Sequence, residues 1–163
     1  MKLESYDELE ILREKYKDKK IVFCSGTFDL THAGHAVFFE NCKKLGDILV
    51  VGIGGDAITR TRKGDVRPIF NEAARLKIVD SLKPVDFTLI DNVSDKENKL
   101  RLIDIVFEKL KPEVYVVRED AFDMEYRRKL CKDKGTELVV LGELSKEFAD
   151  LSTTSIIEKI KNL

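Results

Sequence analysis

The chain contains two histidines, His32 and His35, and both lie in the stretch GTFDLTHAGH that runs from Gly26 to His35. Imidazoles three residues apart can share a metal ion, share an anion, or act as acid and base. A zinc site needs three or four protein ligands, and Cys24 or an acid such as Asp29 would have to complete it. No residue is therefore assigned as a metal ligand. The stretch follows an apolar run and opens a helix-like segment, whose free backbone N–H groups and dipole favour an anion. Imidazole donors placed there suit phosphate oxygens, and Gly34 between them leaves room for a ligand to approach the backbone. A nucleoside triphosphate fits such a site.

These residues must be held by the rest of the chain. Its 163 residues are 43% hydrophobic, enough for one sizeable core, and the expected organisation is a single domain over residues 1–163. Short β-branched runs recur at KIVFCS, DILVVGI, DFTLI, EVYVV and ELVVL. Helices are expected between and after them, at residues 33–45, 71–82, 97–111, 122–134 and 152–162, and Ser5 with Glu8 offers a capping box for a first helix. The apolar runs lack polar alternation, as strands do when both sheet faces are covered. The expected fold is α/β: a Rossmann-like, doubly wound parallel sheet of about five strands with helices on both faces. Ligands of such sheets sit beyond the carboxyl ends of the strands, where GTFDLTHAGH begins.

Composition removes several function classes. Charged residues make up 36%, yet the net charge is −1, so no basic field points to a nucleic-acid partner. The first twenty residues are too charged for a signal peptide, and no apolar run approaches the roughly 20 residues that span a bilayer. Cys24, Cys42 and Cys131 are odd in number and widely spaced, as reduced thiols of a cytoplasmic protein are.

Further motifs extend the pattern. GTFDLTHAGH resembles the GTFDxxHxGH signature of the cytidylyltransferase-like nucleotidyltransferases. TRKGDVRPIFNEAARLKIVDSLKPVD is similar to that family's RKG…RP…R segment, and LSTTSIIEKI to its STT-x-I-I helix start. The three lie in family order and cover the chain from about Lys20 onwards. Within the family, the lead-in helix, KGDVRP and STTSIIEKI look closest to the adenylyltransferase domain of bacterial heptose-1-phosphate enzymes. Glycerol-3-phosphate cytidylyltransferase is a more distant likeness.

The resemblance implies transfer of a nucleoside monophosphate from a triphosphate, ATP favoured, to a small phosphorylated acceptor such as a sugar 1-phosphate, with release of pyrophosphate. The alternative it allows is CTP with a polyol phosphate. It implies Mg²⁺ as cofactor and a homodimer. It further implies that His32, His35 and Lys63 are catalytic. Gly26, Thr27, Phe28, Gly34 and Arg62 would contact the nucleotide, joined by Asp120, Ser152, Thr153 and Thr154. Asp29, Arg75 and Lys83 fall on the acceptor or phosphate side. Read without the resemblance, TRTRKGDVR is a solvated loop and Ser152 to Thr154 an ordinary helix cap.

Two departures stand out. Arg118 and Glu119 occupy the place of the family's glycines after the fourth strand, with Asp120 keeping the acid, and KEFADLSTT lacks the Arg-Thr-x-Gly lead. Two rival functions remain. Gly52 to Ala57 matches the G-x-G-x-x-A of a dinucleotide-binding oxidoreductase, although the acid expected about 20 residues on is found only at Asp91. A non-catalytic nucleotide sensor would keep the pocket without turnover.

Overall fold

The structure, a computed structural model, describes residues 1–142 and 151–163. Strands β1 (Ile21–Gly26), β2 (Ile48–Gly54), β3 (Phe87–Asp91), β4 (Val114–Arg118) and β5 (Glu137–Leu141) form one sheet in the order β3-β2-β1-β4-β5, every neighbouring pair parallel. The chain winds from β1 outward to β3, then crosses back to place β4 on the other side of β1. The switch point therefore lies between the carboxyl ends of β1 and β4.

Alternate strand residues enter different cores. Ile21, Phe23, Val50, Tyr115 and Val117 pack on one face with α1 (Glu8–Lys15), α5 (Arg101–Lys109) and α6 (Met124–Lys134). Val22, Cys24, Leu49, Val51, Val114 and Val116 pack on the other with α2 (Ala33–Lys43) and α4 (Glu72–Asp80). This double burial is why the strands read as unbroken apolar runs. All three cysteines are buried and unpaired. No helix among the described residues is long and apolar enough to cross a membrane.

The elements depart from the sequence expectations at two places. Glu8 Oε1 accepts the amides of Glu4 and Ser5, but the helix begins only at Glu8 and Ser5 does not cap it. More consequentially, the first five residues of the run read as a polar loop, Thr59 to Lys63, belong to a helix, α3 (Asp56–Lys63). It buries Ile58 and Thr59 and little else, so its apolar stripe is too short to register as a period. Gly64 ends it at φ +90°, a conformation that favours glycine. The final helix, α7 (Thr153–Lys161), is capped by Ser152, whose Oγ accepts the Ser155 amide at 3.0 Å.

Candidate active site

The site grows from the β1–α2 connection. Phe28 and Leu30 take positive φ, and the Phe28 ring folds back over Gly26, where a Cβ would stand 2.9 Å from it. Phe28 is buried against Phe38 and Phe39 and presents its ring edge to His35. It braces the motif from beneath, a packing position for a residue expected to border the nucleotide. Gly34 is likewise fixed by the protein: a Cβ there would meet the His32 ring at 2.9 Å.

His32 caps α2. Its Nδ1 accepts the Gly34 amide at 3.1 Å, and the Nδ1 of His35 accepts the His32 amide at 3.3 Å. The rings lie side by side with centroids 4.1 Å apart. With both Nδ1 atoms accepting, each neutral imidazole carries its proton on Nε2. The pair thus offers two N–H donors at the positive end of a helix dipole. Burial, then the neighbouring charges of His32, Arg118 and Lys63, push the His35 pKa down to about 4 against a smaller opposing pull from Asp29. His32 is lowered by burial and by Arg118.

Lys63 ends α3 and is held below the usual lysine range by desolvation first, then by Arg67, with Asp29 and Asp120 acting the other way. Arg118 stands at the carboxyl end of β4, across the switch point, 3.7 Å from Asp120. Sequence reasoning had noted it only as a missing glycine. The signal that it faces the histidines is strand order, which local sequence does not carry. Glu119 leans to β5, where a Cβ on Gly142 would lie 2.8 Å from its Oε1.

Asp29 and Arg75, expected on the acceptor or phosphate side, are both engaged inside the protein. Asp29 is 2% exposed, and its carboxylate accepts the amides of Leu30, Ile69 and Phe70 and the Arg67 Nε at 3.0 Å. It ties the segment after Lys63 to the histidine loop. Arg75 is fully buried and donates to the carbonyls of Thr27 and Phe70 and to Asp56. Lys83 is misplaced altogether: it precedes β3 on the amino edge of the sheet, a strand length of about 17 Å from the carboxyl edge. A second helix N-terminus does reach the motif, since the Thr153 hydroxyl donates to the Asp29 carbonyl at 2.8 Å. Ser152 is engaged as the cap, and Thr154 is exposed. The lead residues 146–150 lie outside the described residues. The Arg62 guanidinium stands over the Phe122 ring.

The dinucleotide reading meets a specific obstacle. The N-terminus of α3, where its phosphates would bind, is filled by Glu72, whose Oε2 accepts the Asp56 amide at 2.8 Å. A Cβ on Gly55 would stand 2.4 Å from the Asp91 carbonyl, so that glycine serves packing between strand ends.

Residues 23–159 match the cytidylyltransferase-like family. The chain belongs to it. Among curated relatives, the bifunctional protein HldE of Campylobacter jejuni subsp. doylei is 38% identical over 161 residues, which is 99% of this chain and 32% of that protein. HldE of Helicobacter pylori is 37% identical over 94% of this chain and 30% of its own length. The chain thus spans about a third of the length of the curated relatives it matches. Of solved structures, the lipopolysaccharide core biosynthesis protein from Thermoplasma volcanium superposes with a TM-score of 0.58 at 29% identity, covering 76% of this chain and 95% of that one. The pantoate-beta-alanine ligase of Francisella tularensis gives 0.65 at 19% identity over 100% of this chain and 78% of its own, a likeness of fold.

Proposed function

We propose that this cytidylyltransferase-like chain is a nucleotidyltransferase that moves AMP from ATP to a sugar 1-phosphate of the heptose type. An oxygen of the acceptor phosphate attacks the α-phosphorus, a new P–O bond forms, the bond to the bridging oxygen of the β-phosphate breaks, and pyrophosphate leaves. The acceptor phosphate is already ionised at neutral pH, so no general base is required. Catalysis then consists of alignment and charge stabilisation. The observation that carries the reading is the pair of Nε2–H donors, fixed by two Nδ1 acceptor bonds, at a helix N-terminus on the switch point. Lys63 and Arg118 add positive charge on either side.

Mg²⁺ would arrive on the triphosphate, where it neutralises phosphate charge. Such ions keep several waters and take one or two carboxylates. Asp120 is exposed and close enough to act on Lys63, whereas the Asp29 carboxylate is engaged with four donors. The donor set fits an ion held chiefly by phosphates. A cytoplasmic homodimer completes the proposal.

The test is melting temperature in Mg²⁺ with ATP, CTP, GTP, UTP or NAD, for the unaltered protein and His35→Ala, followed by pyrophosphate release with sugar 1-phosphates. Stabilisation by ATP that His35→Ala loses is the expected result. Selective stabilisation by CTP would turn the acceptor search to polyol phosphates, and NAD alone would overturn the reading.

A further inference from the structure

β1 pairs with β4 from Val22–Val114 to Cys24–Val116, and both strands run two residues further. Their carboxyl ends therefore part. The histidine motif leaves β1 on one lip of the opening, and Arg118 ends β4 on the other. Carried on, the register sets Arg118 level with Gly26, which has no side chain to stand between them. Alternation decides which way Arg118 faces. Val114 and Val116 pack on the α2 face, and Tyr115 and Val117 on the opposite one. Arg118 shares the parity of Val114 and Val116, so its side chain rises on the face where His32 and His35 open α2. Its charge reaches both rings: it follows burial and His32, ahead of Lys63, in lowering the His35 pKa, and follows burial in lowering that of His32.

The guanidinium is also available. Among the described residues it makes no hydrogen bond, and its ion-pair neighbour is Asp120 at 3.7 Å, with both side chains at least half exposed. Such a pair is worth little and yields to a phosphate, which a guanidinium fork can grip through two oxygens. Lys63 comes from the other direction: it ends α3, which follows β2, and β2 flanks β1 on the side away from β4. A phosphate on the histidine donors thus has a cation on each side.

We propose that Arg118 is a catalytic residue that binds the α-phosphate of the nucleotide, its guanidinium fork taking two non-bridging oxygens opposite Lys63. The inference rests on the nucleotidyltransferase reading and assigns one cation to one phosphate within it. While the acceptor oxygen adds and pyrophosphate leaves, a planar and permanently charged fork stabilises those two oxygens, and no proton moves at Arg118.

Two arms test the assignment, one of them without turnover. Adenosine and AMP differ by the α-phosphate alone, so AMP should raise the melting temperature of the unaltered protein further than adenosine at equal concentration. Arg118→Gly should erase that difference, and Arg118→Lys should keep part of it. The second arm follows pyrophosphate release from ATP with a sugar 1-phosphate. Arg118→Gly should lose about a hundredfold in kcat, the scale of one lost transition-state donor, with a smaller change in the KM for ATP. Guanidinium ion at millimolar concentration, too dilute to unfold the protein, should restore part of the loss and should do nothing for His35→Ala. Should Arg118→Gly fail to fold, Arg118→Met takes its place in the binding and kcat measurements. An AMP advantage that survives in Arg118→Gly, or an undiminished kcat, overturns the assignment. If no sugar 1-phosphate supports pyrophosphate release by the unaltered protein while Arg118→Gly erases the AMP advantage, the nucleotidyltransferase reading fails and the phosphate contact stands. Absence of any stabilisation of the unaltered protein by AMP overturns the contact itself.

Discussion

At the scale of single residues, the two histidines were legible as a pair but their roles as donors were not. Spacing in GTFDLTHAGH places both rings at a helix start. The proton's position follows only from which backbone amides the Nδ1 atoms accept. Neutrality has a thermodynamic signature. Unfolded, His35 takes up a proton near its ordinary pKa of 6.5, whereas folded it does so only at about 4. Between those values the unfolded chain binds more protons, so stability should rise with pH across that window and gain nothing further from this group above it. Melting temperatures from pH 4 to 7 should therefore climb less steeply in His35→Asn. Arg75, expected on the acceptor or phosphate side, is held by internal partners. Arg75→Ala should cost about 3 kcal/mol in urea denaturation, because it strands Asp56 and two buried carbonyls.

At the scale of elements, the strands and most helices could be read because apolar runs and helix-length spacers alternate so plainly. Helix α3 was hidden by its charge, and strand order was hidden because no local pattern encodes which strands pair. That second gap kept Arg118 from being recognised as a neighbour of His32 and His35. Attachment of α7 to the motif was also invisible, since it depends on one hydroxyl. Thr153→Val removes that bond while keeping the shape. It should raise the KM for the triphosphate about tenfold, the scale of one hydrogen bond, with little change in melting temperature.

At the scale of the molecule, one sheet with a core on each face separates stability from chemistry. The core that includes α1 lies across the sheet from α2. Leu9→Ala should destabilise the fold by about 3 kcal/mol through loss of a fully buried side chain. Its nucleotide affinity, measured at a temperature where the variant is folded, should equal that of the unaltered protein.

The bond from Thr153 to the Asp29 carbonyl joins positions 124 apart in the chain. A ribosome making this protein releases the histidine loop well before the helix that reaches it. The growing polypeptide therefore cannot grip its nucleotide with the finished site until synthesis has passed Thr153. Ligand binding by arrested chains of increasing length would turn from weak to tight once Thr153 has emerged.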